Sequence, residues 1–409
     1  MSKADNPPAA SGQFTTDILV TGAGVMGLWA AVKAAEAGYA VTLVDRARPG
    51  AGASGGLLGA LFPWMPNHFG KKKKFQFDAL ISLPDQLAPL EAETGLSAGY
   101  ARVGRIIPLP KAHLRPIAER HRQDAETAWA TPGAAFHWRI TDTAPIPDYI
   151  DPAFADGGYV QDTLAARMSP RGLCAVLTAW LKRQPNVRIF LGTELDSIDP
   201  AAGRACLRAS GLSPVDQSGE SYAGDILFDR LVLASGVDAF AQLEALLPPL
   251  KKQLGQGVKG QAALIAADLD PGLPVAFLDG VYVVPHAGGP NARSHVAVGS
   301  TSENSYDDPF ATDAQLDDVL EKARALIPAL RKAPVIERWA GLRPKAIARD
   351  PMLGLLPDCA NILAMTGGFK ISFGVAHALA DALIDVIEGR EPERLPESFR
   401  TEAHLAEAG

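Results

Sequence analysis

The spacing of hydrophobic and polar positions near the start of the chain predicts a parallel βαβ unit. A short apolar run from Asp17 to Thr21 predicts a strand that stops at Gly22. The apolar-periodic segment LWAAVKAAEAG predicts a helix that ends at Gly38, and the run YAVTLVD predicts a second strand that ends at Asp45. A strand, a helix and a strand in this order are the unit from which parallel sheets are built.

Two later regions of the chain show strand patterns of different kinds. The runs VRIFLGTELDSI and LFDRLVLASG, at 187–198 and 227–236, predict two more strands of the first sheet, the second buried on both faces because it is continuously apolar. The runs QAALIA, VYVVP, SHVAVGS and PVIERW are separated by turn signals and predict an antiparallel sheet. The segment DAQLDDVLEKARALIPAL predicts an amphipathic helix that covers this second sheet.

Length, charge and cysteine content restrict the class of protein. With 409 residues the chain exceeds the size at which one hydrophobic core usually keeps growing, so we expect two domains. A net charge of −7 gives no reason to expect a nucleic acid partner. The three cysteines are odd in number and far apart, which favours a reducing compartment over a disulfide framework. The histidines lack the spacing of metal ligands.

The sequence also lacks signals for membrane insertion and secretion. No run reaches the roughly eighteen apolar residues of a transmembrane helix. The first sixteen residues, MSKADNPPAASGQFTT, are polar and have no apolar core of the signal-peptide type. We therefore expect a disordered N-terminal tail, no transmembrane segment and a cytoplasmic protein.

Glycines at the turn of the βαβ unit carry the first chemical signal. Gly22, Gly24 and Gly27 stand between the predicted strand and helix in the G-x-G-x-x-G spacing of dinucleotide-binding proteins. The three serve a tight turn, the approach of a pyrophosphate to the backbone, and close helix packing. Asp45 stands where an acid binds a ribose and favours a free 2′-hydroxyl, although Arg46 leaves NADP open. Ordinary turns also use glycines, but the flanking elements favour the dinucleotide.

A second run of small residues follows directly, from Gly50 to Gly59, and cannot form an ordinary helix or strand. A simple NAD dehydrogenase needs no second surface for backbone approach at this point, whereas a flavoprotein does, because the flavin ring lies further along. A second G-x-G-x-x-G with strand context does not occur, so no NAD(P)H domain is predicted. We therefore expect electrons to come from an organic substrate and to leave to oxygen or another acceptor.

Several motifs occur along the chain in one order: VTGAGVMGLWAAVKAAEAGYAVTLVDR, GASGGLLGA, LVLASGVDA, VKGQAALI, VYVVPHAGG, WAGLRP and GGFKISFGVAHALADALI. With these motifs the chain resembles the D-amino-acid oxidase superfamily of FAD enzymes, in the branch of glycine oxidase and monomeric sarcosine oxidase. The motif WAGLRP looks most like glycine oxidase, whereas GGFK is closer to monomeric sarcosine oxidase. The resemblance covers nearly the whole chain after the tail.

The resemblance implies an α/β fold in two discontinuous domains. We expect a Rossmann-like FAD-binding domain with a parallel sheet, and a substrate domain of α+β type with an antiparallel sheet. The predicted boundaries place the FAD-binding domain at 17–84, 153–250 and 340–400, and the substrate domain at 85–152, mostly helical, and 251–339. Residues 1–16 and 401–409 are predicted to be tails.

The fingerprint and the resemblance together assign FAD binding to five groups of residues. For Leu195 on the adenine side and for 234–236 under the cofactor, plain sheet core is the alternative interpretation. Sarcosine oxidase attaches its flavin through a cysteine in the segment aligned with AGLRPKAIARD; none occurs here, so we expect non-covalent FAD. The predicted residues are Gly22, Ala23, Gly24, Val25, Met26 and Gly27; Asp45 and Arg46; Ala53, Ser54, Gly55, Gly56, Leu58 and Gly59; Leu195, Ala234, Ser235 and Gly236; and Gly367, Gly368, Phe369, Lys370, Ile371 and Ser372.

The resemblance places the substrate beside a few polar side chains. Arg343, in WAGLRP, is the candidate clamp for a carboxylate, since a guanidinium matches a carboxylate bidentately; a structural salt bridge is the alternative. Tyr282 is a second donor, with an ordinary buried tyrosine as the alternative. Leu57 lines the substrate pocket, and Lys259 and His286 are expected in loops at the domain junction.

Lys370, in the glycine-rich motif GGFK, has two candidate roles. By resemblance to monomeric sarcosine oxidase its ammonium group meets the substrate carboxylate. Alternatively it offsets negative charge on the reduced flavin or where oxygen is reduced. A solvent-facing lysine is the third interpretation.

The predicted function is oxidation of a small amino acid or secondary amine, of the glycine, sarcosine or D-amino-acid type, to an imine by hydride transfer to the flavin N5. Oxygen is the expected acceptor and hydrogen peroxide the product. A dehydrogenase with a quinone or protein acceptor, acting for example on a 2-hydroxy acid, is the first alternative. A non-catalytic FAD-binding subunit is the second. The sequence leaves the oligomeric state open.

Overall fold

The computed structural model describes residues 14–131, 134–212, 220–288 and 294–409. The helices of this part are α1 (Val25–Glu36), α2 (Lys71–Thr94), α3 (Arg115–Ala128), α4 (Pro170–Leu181), α5 (Asp238–Glu244), α6 (Ala314–Leu326), α7 (Ser372–Ile387) and α8 (Thr401–Ala408).

The strands of the described ranges are β1 (Phe14–Thr21), β2 (Val41–Asp45), β3 (Ala60–Leu61), β4 (Arg105–Pro108), β5 (Ala130–Thr131), β6 (Ala134–Ala135), β7 (Trp138–Thr141), β8 (Tyr159–Asp162), β9 (Ala166–Arg167), β10 (Val187–Leu191), β11 (Thr193–Asp199), β12 (Arg204–Ala209), β13 (Gly224–Leu233), β14 (Gly255–Ile265), β15 (Val275–Leu278), β16 (Val281–His286), β17 (His295–Gly299), β18 (Val335–Ala346), β19 (Met352–Leu356) and β20 (Cys359–Thr366).

The first large sheet contains the predicted βαβ unit. Its order is β10-β2-β1-β13-β12-β11, and β20 pairs with β13 and with β19. Strands β10, β2, β1, β13 and β20 run parallel, which confirms the parallel sheet that the apolar runs predict. Helices α1, α4 and α7 bury apolar side chains against one face of this sheet in one large core cluster. The two ends of the chain meet here, because α1 packs directly on α7.

The second large sheet is the predicted antiparallel one, in the order β18-β14-β17-β16-β15-β4-β8-β7. Its neighbouring strands are antiparallel except for the parallel pair of β15 and β4. Helix α6 covers one face through Leu316, Leu320 and Ala323, as its amphipathic pattern predicts. The opposite face of this sheet is not covered by α6 and is therefore free to line the site described below.

The second sheet differs from the predicted domain boundaries. Strand β8, at 159–162, pairs with β4 and β7, so this sheet extends past the predicted boundary at 152. The middle segment 85–152, predicted to be mostly helical, supplies two strands of the sheet, β4 and β7. Strand β18 crosses the predicted boundary at 339 without interruption and ends at Ala346. The predicted boundary falls inside the motif WAGLRP, and strand β18 carries this whole motif.

Both predicted tails are shorter than expected. Strand β1 begins at Phe14 and pairs with β13 from its first residue, so the N-terminal tail does not extend to 16; residues 1–13 lie outside the described part, as does Gly289 of one motif. The C-terminal segment is wrongly predicted as a tail, since it forms α8 and packs against β19. Thr401 and His404 of this helix are fully buried, and His404 Nε2 lies 3.1 Å from the Pro351 carbonyl oxygen.

Two absences apply to the described residues. None of their helices combines the length and the hydropathy needed to cross a membrane. Their histidine, cysteine and acidic side chains form no group able to hold a metal ion.

Candidate active site

A cavity of about 1140 Å³ is lined by residues of both large sheets. One part of its wall is the turn between β1 and α1, with the ends of β2 and β13. Another part is the inner face of the second sheet, through Phe277, Tyr282, Ala262 and Trp339. On neighbouring strands Phe277 pairs with Tyr282, and Ala262 pairs with Trp339, so these side chains form a row across the sheet.

The glycines of the first turn have separate structural reasons. Gly22 has φ +96°, and a side chain there would come within 2.6 Å of the Ala234 carbonyl oxygen. A side chain at Gly27 would overlap the Gly22 carbonyl group, so glycine allows α1 to pack onto the strand. At Gly24 a side chain would meet only Ser54 Oγ within 4 Å, so the space beside this backbone is open to the cavity. The open space at the helix N-terminus fits a pyrophosphate.

Asp45 lies at the end of β2 and accepts backbone N–H groups with both carboxylate oxygens, from Ala23 at 2.7 Å and from Ala47 at 2.8 Å. Burial raises the pKa of this carboxyl group, and the two hydrogen bonds oppose the shift. Each oxygen keeps a second lone pair that can accept a ribose hydroxyl. Arg46 forms an ion pair of 2.8 Å with Asp238, so its charge already has a partner and is not reserved for a 2′-phosphate.

The second glycine-rich run crosses the cavity wall beside α1. Ser54 Oγ accepts the N–H of Val25 at 2.9 Å and thereby caps the start of α1. Gly59 has φ +61°, and a side chain there would overlap the Met168 carbonyl group. At Gly59 the run therefore has no room for a side chain, while residues on both sides of it line the cavity.

His286 holds this run from the second sheet. It lies in β16, so its prediction as a loop residue is wrong; the apolar run VYVVP continues through it. Its Nε2 lies 2.9 Å from the Leu58 carbonyl oxygen, which can only accept, so Nε2 carries the hydrogen. Burial lowers the pKa of His286 to about 4, so the imidazole is neutral near pH 7.

The GGFK segment turns sharply beside the end of β18. Gly367 has φ +73° and Phe369 has φ +44°, two positive values separated by one residue. The N–H of Phe369 donates to the Pro344 carbonyl oxygen at 3.1 Å, and this bond attaches the turn to the strand that carries Arg343. Lys370 follows directly, and its side chain lines the cavity. Lys370 is nevertheless an exposed residue, so the interpretation of a solvent-facing lysine stays open beside the cavity lining. Partial burial of its ammonium group lowers the pKa of Lys370, and the charge of Arg343 lowers it further.

Arg343 lies in β18 opposite Val258 of β14. Its guanidinium lies over Gly260, where any side chain would overlap it. Its Nη1 donates to the Thr301 carbonyl oxygen at 3.1 Å, and burial lowers the pKa of the group. No carboxylate of the described residues lies within ion-pair distance of Arg343, in contrast to the structural salt bridge that was the alternative.

A buried polar network supports Arg343 through Thr301. Thr301 Oγ1 accepts the N–H of Gln261 at 2.9 Å and donates to Glu303 Oε1. Lys259 lies within β14, not in a loop as predicted, and its Nζ lies 2.8 Å from Asp313 Oδ2 and 3.6 Å from Glu303 Oε2. Hydrogen bonds from Lys259 and Gln261 lower the pKa of Asp313 to about 2. These bonds fix the carbonyl that Arg343 contacts.

Tyr282 stands between two guanidinium groups. Burial raises the pKa of its hydroxyl, and the charges of Arg105 and Arg343 oppose the shift. Its ring lies 5.2 Å from the ring of Phe62 and 4.8 Å from that of Phe277, measured between centroids. The hydroxyl is therefore a neutral donor at neutral pH, held in place by two aromatic neighbours.

Most of the predicted site residues line this cavity, including Arg343, Tyr282, Lys370, Leu57 and Leu195. The remaining predicted residues shape the turns behind its wall: Ala23, Gly27, Gly55, Gly367 and Gly368. The cysteines, all within the described part, do not line it. Lining residues that the sequence analysis missed include Phe62, Arg105, Phe277, Ser300, Phe310 and Trp339.

Known proteins resemble this chain in sequence and in fold. The model of the family described as FAD dependent oxidoreductase matches residues 17–382. Glycine oxidase of Pseudomonas aeruginosa is 29% identical over 400 residues, which cover 92% of this chain and 95% of that protein. The structure of glycine oxidase from Geobacillus kaustophilus has a TM-score of 0.77 at 22% identity, over 92% of this chain and 95% of that one. Iminodiacetate oxidase from Chelativorans sp. BNC1 has a TM-score of 0.74 at 22% identity, over 94% and 98% of the two chains. At these identities the two structures establish the fold.

Proposed function

Because the chain belongs to the family of FAD-dependent oxidoreductases, we propose that it oxidises a small amino acid or secondary amine to the imine. The observation that carries the proposal is the half-buried guanidinium of Arg343, which lines the cavity with Tyr282 and Lys370 and has no carboxylate partner among the described residues. A cationic pocket of this kind suits the acid group of an amino acid. The relatives named glycine oxidase and iminodiacetate oxidase support the same class of substrate.

FAD is the cofactor of this family, and when bound it would supply the hydride acceptor for the proposed oxidation of the carbon next to the substrate nitrogen. The residues that would hold its pyrophosphate and ribose are those of the first turn, around Gly24, and Asp45. Backbone of the run 53–59 and of the GGFK segment would border the ring. The open space beside Gly24 and the spare lone pairs of Asp45 fit these roles.

The chain itself must bind the substrate and orient it. Arg343 would hold the carboxylate with two parallel hydrogen bonds, because its planar fork matches the two oxygens. The Tyr282 hydroxyl would donate a further hydrogen bond to the same group or to one beside it. Lys370 would add a positive charge at the edge of this site, attached through the turn that Phe369 and Pro344 hold. Three donors around one anion would leave the substrate little freedom to rotate.

The same charges would keep the substrate amine in its reactive, unprotonated form. Positive groups nearby disfavour an ammonium ion and lower its pKa. Among the described lining residues the acidic ones are Asp45, Glu194 and Asp238, which belong to the dinucleotide part of the cavity. None of the described lining residues is a histidine. We therefore infer that the proton leaves the nitrogen without a dedicated carboxylate or imidazole base.

The direct test is anaerobic reduction of the bound flavin with a panel of substrates. Glycine, sarcosine, D-alanine and D-proline represent the proposed class, and 2-hydroxy acids represent the alternative. Loss of the absorbance of oxidised FAD with an amine and not with a hydroxy acid is the expected result. Bleaching by hydroxy acids alone would contradict the proposal.

The proposed acceptor is oxygen, with hydrogen peroxide as the product. An oxygen electrode and a dye-reduction assay on the same substrate separate an oxidase from a dehydrogenase. Oxygen uptake at a rate close to that of dye reduction is expected. Fast dye reduction without oxygen uptake would instead indicate a quinone or protein acceptor.

Non-covalent attachment of FAD is part of the same proposal, because the cysteines of the chain lie away from the cavity lining in the described part. Denaturation in acid followed by filtration should release all of the flavin. A protein mass increased by one FAD after denaturation would contradict this.

A further inference from the structure

We propose that Arg105 forms a second anion-binding subsite in the cavity, and that the substrate is therefore an amine or amino acid with two carboxylates. This inference rests on the proposed amine oxidation and specifies its substrate class. Arg343 would bind one acid group beside the flavin. Arg105 would bind the other from the opposite part of the same sheet.

Arg105 is a buried guanidinium with an unused donor. It is 2% exposed, and it lines the cavity. Its Nε donates to Asp162 Oδ2 at 2.5 Å, and Asp162 Oδ1 accepts the N–H of Ala165 at 2.8 Å, so the carboxylate has a fixed position. Nη2 of Arg105 is buried and has no hydrogen-bond partner. A buried donor without a partner is unfavourable, and it would gain a partner if an acid group drew this guanidinium toward the cavity.

Aromatic rings fix the plane of this guanidinium. Its Cζ lies 4.3 Å from the centroid of the Phe62 ring and 5.8 Å from that of Trp138. Phe62 lines the cavity and contacts Tyr282, whose hydroxyl feels the charges of both Arg105 and Arg343. Tyr282 thus lies between the two cations and can donate to either acid group.

The topology places the two cations on either side of Tyr282. Arg343 is in β18, at one edge of the second sheet, Tyr282 is three strands away in β16, and Arg105 is two strands further in β4. Neighbouring strands lie about 4.8 Å apart, so the backbones of Arg343 and Arg105 are five strand spacings apart, roughly 24 Å. Two cations so placed cannot bind the two oxygens of a single carboxylate. With both long side chains extended toward Tyr282, they suit two separate acid groups of one substrate.

A purely structural ion pair is the competing explanation. Such a pair explains the Nε contact with Asp162. It does not explain a guanidinium at a cavity wall with one buried donor left over. A lysine at this position could also pair with Asp162, but it would have no Nη2.

The experiment compares substrates with and without the second acid group. Sarcosine and D-norvaline carry one carboxylate, and iminodiacetate, N-(2-carboxyethyl)glycine and D-glutamate carry two. We expect kcat/KM to be roughly 10- to 100-fold higher for the best dicarboxylate than for its monocarboxylate counterpart, the range of one charge-assisted hydrogen bond. Equal values for both groups would overturn the proposal.

The variant Arg105→Lys keeps a positive charge beside Asp162 and removes Nη2. The ratio of kcat/KM for the dicarboxylate to kcat/KM for sarcosine should fall toward one in this variant. Because this variant can unfold, the double variant Arg105→Met/Asp162→Leu removes the buried pair as a unit, and it should show the same fall. An equal loss for both kinds of substrate in the folded variants would overturn the proposal.

Binding without turnover separates this inference from the proposed function. Glutarate and butyrate are unreactive, and each should perturb the visible spectrum of bound FAD when it enters the cavity. Tighter binding of glutarate in the wild type, lost in Arg105→Lys, is expected even if no amine is oxidised. Equal affinity for the two acids would overturn the second subsite while leaving amine oxidation intact.

Discussion

The proposed dinucleotide part and the proposed substrate part of the cavity are built by different means. The proposed dinucleotide part uses backbone: glycines at Gly22, Gly24 and Gly27 within one turn, and a single carboxylate at the end of the next strand. The proposed substrate part uses side chains from β4, β16 and β18, together with the separate GGFK segment. Recognition of a ligand by backbone groups depends on the spacing of residues within one motif, so the sequence reveals it directly. Recognition by side chains depends on which strands pair, and the residues involved are therefore scattered along the sequence.

The largest effect is expected at the backbone part. Gly24→Val should abolish the yellow colour of the purified protein, because a branched side chain would fill the open space beside the helix N-terminus. Absorbance of FAD in the purified protein measures it. Gly70→Ala is the matched control, since a side chain at Gly70 meets nothing within 4 Å. Full FAD content in Gly24→Val would show that the pyrophosphate lies elsewhere.

In the substrate part of the cavity, which is built from side chains, we expect a substitution to lower kcat/KM and to leave FAD binding unchanged. Arg343→Ala should lower kcat/KM for the best amine roughly 10- to 150-fold, since a charge-assisted hydrogen bond contributes about 1.5–3 kcal/mol. FAD content should stay that of the wild type. Arg338→Ala, on the same strand but paired with Asp317, is the control and should leave kinetics unchanged. Kinetics as in the wild type would mean that the carboxylate is held by another group.

A substitution with a smaller expected effect tests whether the position of the Arg343 side chain depends on Gly260. Gly260→Ala puts a methyl group where the guanidinium of Arg343 lies, so the guanidinium must move. We expect KM to rise on the order of 10-fold with FAD still bound, because the cation is displaced and not removed. Gly272→Ala, which would meet only the side chain of Asp270, serves as control. An unchanged KM would show that Arg343 does not take part in substrate binding.

The smallest effect concerns the charge of Lys370. Its pKa is lowered by burial and by Arg343, so it loses its proton below the ordinary lysine pKa of about 10.4. As pH rises through that lowered value, the neutral amine attracts the carboxylate less and KM rises. In Lys370→Met the KM should be about 2- to 5-fold higher near neutral pH, and this rise with pH should disappear.

Tyr282 does not explain such a pH profile, because burial raises the pKa of its hydroxyl and moves its titration to higher pH. The prediction is checked by measuring KM between pH 7 and 10.5 in the wild type and in Lys370→Met. The same alkaline rise in both proteins would show that Lys370 does not act on substrate binding.

The sequence alone determined the two main sheets, the helix that covers the second of them, and the cofactor. Apolar runs with different periods predicted a parallel sheet, an antiparallel sheet and the helix that covers the latter, and the structure contains all three. Three glycines and an acid predicted the dinucleotide turn, because their roles depend on spacing within a few tens of residues. The resemblance supplied Arg343 and Lys370, and both line the cavity.

The tertiary structure decided which distant side chains meet. Gly260 matters only because β14 pairs with β18, and Arg105 becomes a cavity group only because β4 pairs with β8 and β15 beside Tyr282. The sequence around Arg105, an arginine before an apolar run, looks the same whether the N–H groups of its guanidinium have hydrogen-bond partners or not. Those partners, such as Asp162, lie far along the chain. The predicted C-terminal tail failed for the same reason, because burial of His404 is decided by contact with another element. The spacing of residues within a motif is fixed by the amino-acid sequence, whereas contacts between strands form only when the chain folds.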